Sequence, residues 1–513
     1  MTVATGTRTG PRPEAETGLP DDVPGRFSGR AGPPLPDIDA AVTEMLGRSG
    51  SSTSASLVID GLEAFALRAA TARAAVRTLD LQYYAWHADV TGILLTREVL
   101  AAADRGVAVR LLLDDSYALE TERPLAALDS HPGVEIRLFN ATRNWRFLGR
   151  AGFAVEFALG GWHLNHRMHN KAWIADGRAV LAGGRNIGDE YFAASGGFNF
   201  RDMDLLLVGA GARQACDIFD RYWNHRLSRP ITELHAAVPP GDLQRVREVL
   251  AEAPGRPGAR PYLDRLAQSP AVARMVRGSG AMLPADCVQV LADAPDKADA
   301  EKEDPDRTAG GLAAAVVKVL HGAEREALII SPYFVPGRRG LALLRSMRAR
   351  GVRISVVTNS LAATDVVAVH GGYARYRRRL LRMGIELWEL KRVGRTEAGV
   401  FGSSGASLHT KAFAVDGETL FVGSFNLDPR SARLNTEMGA FARQPELVAQ
   451  VKEEHARLAD PTRSYRVEMD KGILVWTDTE NDKARHRRRE PDAGVGRRIM
   501  ALLTRYLPFE SQL

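Results

Sequence analysis

The chain has 513 residues, of which 45% are hydrophobic and 25% are charged, as expected for a folded protein with two or more domains or lobes. Its net charge of +6 suits an anionic partner but does not choose between nucleic acid and lipid. Two cysteines exclude a disulfide-rich scaffold, and no apolar run has the length of a membrane span or the form of a secretory signal.

The first 37 residues are rich in proline, glycine and charged residues and have no apolar periodicity. Such a segment buries too little apolar surface to offset the entropy lost on ordering. The sequence therefore predicts a disordered tail at residues 1–37.

The next segments alternate between helical and strand patterns. A helix is predicted at 61–76 and a strand at 79–86, followed by a helix at 93–106 and a strand at 107–115. Strands separated by a helix of this length favour a parallel pair with a helical crossover.

The second half of the chain repeats this order. A helix is predicted at 311–326, a strand at 326–335, a helix at 340–351 and a strand at 352–360. The repetition indicates two copies of one structural unit within the chain.

The segments between and after these copies set the predicted domain limits. A charged, non-periodic stretch at 293–311 is typical of an exposed linker. The predicted division is a first half at 38–292, a second half at 312–480 and a basic amphipathic segment at 481–513.

Each half contains the pattern His-x-Lys-x4-Asp followed by Gly-x-x-Asn, and in both copies the asparagine follows the histidine by 17 residues. A single His-x-Lys-x4-Asp match is weak, since roughly 0.05 are expected by chance in a chain of this length. Two copies at the same spacing indicate a working site. The motif residues are His169, Lys171, Asp176 and Asn186 in the first copy, and His409, Lys411, Asp416 and Asn426 in the second.

Both motifs have the sequence pattern of a β-hairpin. An apolar run beginning at the histidine leads to Asp-Gly, a strong hairpin signal, and a second apolar run follows. Residues two apart on a strand share a face, so each histidine and lysine should project together. A two-residue turn would place Gly184 opposite His169 and Ser424 opposite His409.

The paired motifs resemble those of the phospholipase D superfamily. The resemblance implies an α/β protein with the phospholipase D fold, in which two similar α/β/α sandwich halves are related by a pseudo-twofold axis. It also implies that both histidines, both lysines and both asparagines surround one phosphate, without a metal or other cofactor. A regularly spaced group of histidines, His163, His166 and His169, lacks the further ligands of a metal site.

In proteins of this superfamily one histidine attacks phosphorus and the other acts as general acid and base. By this resemblance His169 is expected to be the nucleophile and His409 the acid and base. Downstream acids, here Asp202 and Glu437, are expected to orient the histidines. The remaining side chains would bind the phosphate: Lys171, Lys411, Asn186, Asn426 and Ser424.

Three motif positions differ in expected role from the groups that bind the phosphate. Asp176 and Asp416 belong to the catalytic motif, but their place in the hairpin turns predicts a structural role. Gly184 occupies the position of Ser424, where the family motif has serine, so the first hairpin is expected to make weaker phosphate contacts.

A narrower resemblance covers about residue 50 to the C-terminus and points to bacterial type C cardiolipin synthases. It rests on LDLQYYAWH (79–87), LNHRMHNK (164–171), GGRNIGDEYF (183–192), TNSLAATDVVAVHGGYARYRRRLL (358–381) and the ending LTRYLPFESQL. It implies transfer of a phosphatidyl group between phospholipids, with phosphatidylglycerol as substrate and phosphatidylethanolamine as a further candidate donor.

Two questions stay open on sequence grounds. A phospholipase D hydrolase would use the same residues, while a nucleic-acid phosphodiesterase is disfavoured by the modest charge, and an inactive scaffold by the intact motifs. The basic run at 483–489 and the amphipathic run at 495–509 fit either an anionic membrane surface or a helix packed on the protein's own core, the latter slightly favoured. The expected location is the cytoplasm, peripherally on the inner face of the bacterial cell membrane.

Overall fold

A computed structural model of the chain describes residues 37–119, 121–142, 146, 151, 155–156, 162–235, 238–239, 241–276, 282–285, 287–299, 311–392, 406–480 and 483–506. Apart from Asp37, the predicted disordered tail lies outside these residues.

The first half forms a nine-stranded mixed sheet with strand order β10-β1-β8-β6-β5-β2-β3-β4-β9. Its strands are β1 (Thr53–Val58), β2 (Thr78–Tyr83), β3 (Ala108–Asp114), β4 (Val134–Phe139), β5 (Ala172–Ala175), β6 (Ala179–Gly183), β8 (Asp204–Gly209), β9 (Ser228–Pro230) and β10 (Leu283–Pro284); β7 (Asn199–Arg201) lies outside it. Its helices are α1 (Ile38–Ser49), α2 (Gly61–Ala74), α3 (Val90–Asp104), α4 (Asp115–Ala118), α5 (Glu122–Asp129), α6 (Ala210–Trp223), α7 (Ile231–Leu234), α8 (Asp242–Glu252), α9 (Ala259–Gln268) and α10 (Pro270–Val276).

The second half forms a ten-stranded sheet with strand order β11-β18-β17-β16-β12-β13-β14-β19-β20-β21. Its strands are β11 (Val288–Ala292), β12 (Glu326–Ile330), β13 (Arg353–Asn359), β14 (Glu386–Leu390), β16 (Ala412–Val415), β17 (Thr419–Gly423), β18 (Met438–Ala442), β19 (Ser464–Asp470), β20 (Ile473–Glu480) and β21 (Lys483–Arg487); β15 (Ala406–Leu408) lies outside it. Its helices are α11 (Leu312–His321), α12 (Gly337–Ala349), α13 (Val367–Ala374), α14 (Arg377–Arg382), α15 (Pro429–Arg433), α16 (Pro445–Leu458) and α17 (Val495–Tyr506).

The internal repeat predicted from the sequence is confirmed. Six strands in the middle of the first sheet, β8-β6-β5-β2-β3-β4, match β18-β17-β16-β12-β13-β14 in the second. The predicted parallel pairs are β2 with β3 and β12 with β13, and each is linked by a crossover helix. The chain therefore has the predicted α/β fold of two similar halves.

The two halves share a hydrophobic core. One cluster of buried residues contains Ile174 and Val180 from the first hairpin together with Leu420, Val422 and Ala440 from the second sheet. Burial of apolar surface common to both sheets stabilises their association. The halves are thus predicted correctly as repeats, but they pack as one unit.

Two predicted limits and the predicted exposure of the linker differ from the structure. Strand β11, inside the predicted first half, pairs with β18 of the second sheet, so the chain passes between sheets before residue 288. The start of the predicted linker is buried at Asp293, Pro295 and Ala298, and residues 300–310 lie outside the described part. The predicted limit at 480 divides β20 from β21, which continue the second sheet.

The C-terminal segment agrees only in part with the slightly favoured prediction of a helix packed on the protein's own core. Helix α17 does lie against the protein, but Ile499, Met500, Leu502 and Leu503 are exposed. Tyr506 and Leu507 also belong to the amphipathic run at 495–509, but their side chains are outside the described residues. Among the helices that the structure describes, none has the length and apolar character needed to cross a bilayer.

Each motif does form a β-hairpin, but the register differs by one residue from the prediction. Pairing of Ala175 with Ala179 leaves three residues in the first turn, and Asp176 and Gly177 both have positive φ angles, 52° and 64°. With this register Gly184 falls opposite position 170, and Ser424 opposite position 410. A two-residue turn was the wrong choice because Asp-Gly also fits the longer turn.

Candidate active site

Contacts between the halves place the two motif histidines. The predicted strand at 169–175 begins only at Ala172, because the preceding residues leave the sheet to meet the other half. The backbone N–H of His169 donates to the Thr436 carbonyl at 2.9 Å, and that of His409 donates to the Arg201 carbonyl at 2.8 Å. Beside His409, β15 pairs with β7 across the halves, and a bridge from Met168 to Thr436 repeats this pairing beside His169.

This crossed pairing brings each histidine to the acidic residue of the other half. His169 Nδ1 lies 2.8 Å from Glu437 Oε2, and His409 Nδ1 lies 2.6 Å from Asp202 Oδ2. Both carboxylates are fully buried. The sequence identified the two acids, but the exchange of partners between halves is a finding of the structure.

The contacts fix which ring nitrogen carries the proton. An ionised carboxylate only accepts hydrogen bonds, so Nδ1 of each imidazole donates and Nε2 keeps its lone pair. Burial lowers the pKa of His169 to about 4, against the opposing effect of Glu437. Burial and Lys411 lower the pKa of His409 well below its usual value. Both imidazoles are therefore neutral at pH 7.

The two carboxylates respond differently to burial. For Glu437, burial alone would raise the pKa, but His169, Lys171 and Ser424 outweigh it and lower the pKa. For Asp202, burial raises the pKa, and Lys411 and other cations oppose this only in part. The Glu437 carboxylate is thus the more firmly ionised of the pair.

Two buried lysines complete the charged centre of the site. Lys171 Nζ donates to the carbonyl of His169 at 2.6 Å, and Lys411 Nζ donates to the carbonyl of His409. Burial lowers the pKa of Lys411 to about 8 and that of Lys171 well below its usual value. A bound phosphodiester, being anionic, would favour the cationic form of both groups.

The two halves hold their carboxylates in different ways. In the second half the Ser424 hydroxyl donates to Glu437 Oε2 and accepts from the Met438 N–H at 3.0 Å. In the first half a Cβ at Gly184 would lie 2.1 Å from Asp202 Oδ1, so the carboxylate occupies the space of a side chain. The absence of a side chain at Gly184 therefore leaves space for Asp202. Ser424, which was predicted to bind phosphate, hydrogen-bonds to Glu437.

Ser431 is a site residue that the sequence analysis did not identify. Its hydroxyl donates to Glu437 Oε1 at 2.8 Å and accepts from the Asn426 N–H at 3.3 Å. Ser431 itself is held by Asp428, which caps α15 and accepts from its N–H at 2.7 Å. The signal was the Asp-Pro-Arg-Ser sequence, a helix start directly after the motif asparagine.

The motif asparagines are buried, and their side-chain oxygens lack hydrogen-bond partners among the described residues. Asn186 Nδ2 donates to the Tyr191 hydroxyl at 2.9 Å, and within the described part of the chain Oδ1 of both Asn186 and Asn426 has no hydrogen-bond partner. Because the two ends of an amide are assigned from its contacts, turning either side chain would place an N–H group where the unpaired oxygen now lies. Their position is consistent with the predicted phosphate contacts.

Aromatic rings border both histidines. Tyr84 lies edge-on to His169 with ring centroids 5.3 Å apart, and Lys171 Nζ is 5.4 Å from the centre of the same ring. Tyr191 and Phe200 lie 5.3 Å and 4.7 Å from His409. These rings help to desolvate the site, and the sequence offered no spacing rule that would have selected them.

The motif aspartates are structural, in agreement with their position in the hairpin turns. Asp176 accepts backbone N–H groups of Val76, Arg77 and Thr78 at 2.7–2.9 Å, at the start of β2. Asp416 does the same at the start of β12, accepting three N–H groups at 2.7–2.9 Å. Each joins its hairpin to the neighbouring strand, and their described hydrogen bonds do not reach the motif histidines. The prediction that Asp176 and Asp416 are catalytic residues is therefore corrected to a structural role.

We expect the substitution Asp176→Ala to lower stability but spare the chemistry. Three backbone N–H groups would lose a charged acceptor, and alanine is less tolerant of a positive φ, at a cost of roughly 2–4 kcal/mol in the free energy of unfolding. Urea unfolding measures this loss. Phosphodiester turnover of the folded protein should stay within about threefold, and Asp176→Asn, which tolerates the turn, should be milder. Unchanged unfolding with lost turnover would instead assign Asp176 to the chemistry.

One cluster of metal-ligand type occurs among the residues that the structure describes, and it contains a cation already. His370, Glu389 and Glu490 lie together, but the Arg377 guanidinium is between them. Arg377 lies 2.8 Å from Glu389 and 2.5 Å from Glu490. The cluster is a buried ion-pair network that attaches the C-terminal segment, through Glu490, to the second half.

Comparison with known proteins finds matches along most of the chain. The family described as "Cardiolipin synthase, PLD-like domain" matches residues 69–223 and 316–459. Cardiolipin synthase C of Escherichia coli (strain K12) is 38% identical over 482 residues, covering 93% of this chain and 99% of the relative. An uncharacterised protein of Helicobacter pylori (strain ATCC 700392 / 26695) is 30% identical, over 92% of both chains.

The fold also has a relative among solved structures. The crystal structure of phosphatidylserine synthase from Haemophilus influenzae Rd KW20 covers 83% of this chain and 92% of its own, with a TM-score of 0.54 and 14% identity. At this level of identity the likeness is one of fold.

Proposed function

The chain belongs to the cardiolipin synthases with phospholipase D-like domains, and from this we propose that it transfers a phosphatidyl group between phospholipids. The acceptor is a glycerol hydroxyl of phosphatidylglycerol, and the product is cardiolipin. The observation that carries the proposal is the pair of buried, neutral histidines, each held at Nδ1 by a carboxylate of the other half.

The first step is attack of His169 Nε2 on the phosphorus of a donor phospholipid. An N–P bond forms, the bond from phosphorus to the headgroup oxygen breaks, and His409 gives a proton to that oxygen. His409 must carry this proton when the donor binds, and the negative charge of the phosphodiester favours that form.

In the second step the acceptor oxygen attacks phosphorus and His169 is the leaving group. His409, now neutral, removes the proton from a hydroxyl of the acceptor phosphatidylglycerol, whose oxygen attacks the phosphohistidine. The N–P bond breaks and His169 is restored. Lys171 and Lys411 stabilise the negative charge on the phosphoryl oxygens throughout, with Asn186 and Asn426 as further donors.

Cardiolipin formation can be tested directly by mass spectrometry of lipids. Vesicles would combine phosphatidylglycerol of one acyl composition with phosphatidylethanolamine of another, so the acyl chains of the product identify the donor. We expect cardiolipin from the intact protein and none from His169→Ala. Phosphatidic acid without cardiolipin would make the protein a hydrolase. If a fluorescent oligonucleotide is cut while lipids are untouched, the proposal is wrong.

We propose that the enzyme works peripherally at the inner face of the bacterial cell membrane. Both proposed substrates are bilayer lipids, and the reaction joins two of them. A fractionation of bacterial cells that recovers the protein away from the membrane under low salt would contradict this location.

A further inference from the structure

We infer that helix α17 is a membrane-docking element that presents its apolar face to an anionic bilayer beside the active site. This inference rests on the proposed function, because it supposes that the substrates are bilayer lipids. Four features support the inference: the exposed face of the helix, its attachment to the protein, the charges beside it and its contact with a loop that leads to the site.

Helix α17 has its apolar face turned outward. The side chains of Val495, Ile499, Leu502 and Leu503 are 53–70% exposed, and at 100° per residue they lie within an arc of about 100°. The helix holds five of the twelve large apolar side chains that are exposed in the described residues. In a helix that only completes a soluble fold, this face would be turned to the core.

The opposite face of the helix is attached to the protein. Ala501 is buried, and a Cβ on Gly371 of α13 would lie 2.2 Å from Thr504 Oγ1, so the two helices are in close contact. Arg375 Nη2 donates to the Thr504 carbonyl at 3.2 Å. The outward position of the apolar face is thus fixed by packing on α13 and does not reflect a detached tail.

Basic side chains beside the helix match an anionic surface. A depression next to α17 is lined by Arg487, Arg488, Arg489 and Arg498 and by two acids, Glu490 and Asp492, the second of which pairs with Arg487 at 2.5 Å. Arg488 and Arg489 are exposed. Each basic residue near an anionic leaflet contributes about 1 kcal/mol to binding, and apolar side chains inserted at the boundary add to it. This combination favours an anionic bilayer over a second copy of the same basic surface.

The helix is linked to the active site through one short loop. Arg497 Nε donates to the Leu361 carbonyl at 3.0 Å, and its Nη2 donates to the carbonyl of Thr364. Asp365, the next residue, accepts from the Tyr333 hydroxyl at 2.7 Å. At the start of the same loop, Asn359 Nδ2 donates to the Leu408 carbonyl at 2.9 Å, directly before His409. Docking of α17 would therefore bring this side of the site to the lipid surface.

The test compares two double variants, each of which replaces two exposed apolar side chains with serine. Leu502→Ser with Leu503→Ser alters the docking face, and Val249→Ser with Val317→Ser alters exposed valines of α8 and α11. Sedimentation with vesicles of phosphatidylglycerol and phosphatidylethanolamine measures binding. We expect binding to fall about tenfold or more in the first variant and to stay unchanged in the second. Equal binding by both variants would overturn the inference.

A second measurement separates docking from chemistry. Turnover of short-chain phosphatidylglycerol below its micellar concentration needs no bilayer, so the docking variant should retain it to within about twofold while losing turnover on vesicles. Equal loss on both substrates would overturn the inference, as would a docking variant that forms a smaller oligomer than the intact protein while its vesicle binding is unchanged. If the intact protein transfers no phosphatidyl group at all, the proposed function fails, and vesicle sedimentation still decides whether α17 docks.

Discussion

Replacing His169 with alanine should reduce the rate of cardiolipin formation at least about 10³-fold, the largest effect that we expect from a single substitution. The variant loses the nitrogen that forms the covalent intermediate. It also loses the imidazole that donates to Glu437. The rate is measured by lipid mass spectrometry on vesicles. The protein should stay folded, since the buried Glu437 carboxylate keeps hydrogen bonds from Ser424 and Ser431.

The matching substitution His409→Ala distinguishes the two histidines. It should also stop turnover, but the first step remains possible with a donor whose leaving group needs no proton, such as a nitrophenyl phosphodiester. Intact-protein mass spectrometry should then detect a phosphoryl adduct on His409→Ala and none on His169→Ala. An adduct on His169→Ala only would exchange the assigned roles, and an adduct on neither would contradict the covalent mechanism.

Much of this site followed from the sequence because its chemistry is local. Histidine, lysine and asparagine stand at fixed spacing within one hairpin, and the hairpin itself follows from the Asp-Gly turn between apolar runs. The parallel pairs followed in the same way from alternation of helix and strand. Asp202 and Glu437 were found by resemblance, since nothing in their own segments identifies them as partners of histidine.

The features that could not be predicted from the sequence depend on contacts between distant segments. His169 and Glu437 are 268 residues apart and meet only because the halves exchange partners. The hairpin register depends on one residue of turn length. The direction of the apolar face of α17 stayed open between two alternatives, because periodicity shows that a helix is amphipathic without showing which side meets the protein.

A serine introduced at Gly184 would make the first motif match the second, yet we expect it to damage the enzyme. Its Cβ would lie 2.1 Å from Asp202 Oδ1 and 2.8 Å from Oδ2 and Cγ, so the carboxylate must move. Asp202 would then lose its position 2.6 Å from His409 Nδ1, and the imidazole would lose the group that fixes its tautomer. We expect turnover to fall roughly 10²- to 10³-fold, with a smaller effect on vesicle binding.

Two further substitutions identify the cause of that loss. Gly184→Ala carries the Cβ without the hydroxyl, so it should be as harmful as Gly184→Ser if displacement of Asp202 is responsible. Ser424→Gly removes one donor to Glu437 but leaves Ser431 on the other oxygen, so it should cost only about tenfold. Gain of activity in Gly184→Ser would mean that a hydroxyl at this position serves the phosphate, as the family motif alone predicts. Loss confined to Gly184→Ser, with Gly184→Ala active, would contradict the steric argument. The expected order therefore tests whether the two halves, alike in motif, have diverged in how each holds its carboxylate: by a cleared space around Asp202 and by a hydroxyl beside Glu437.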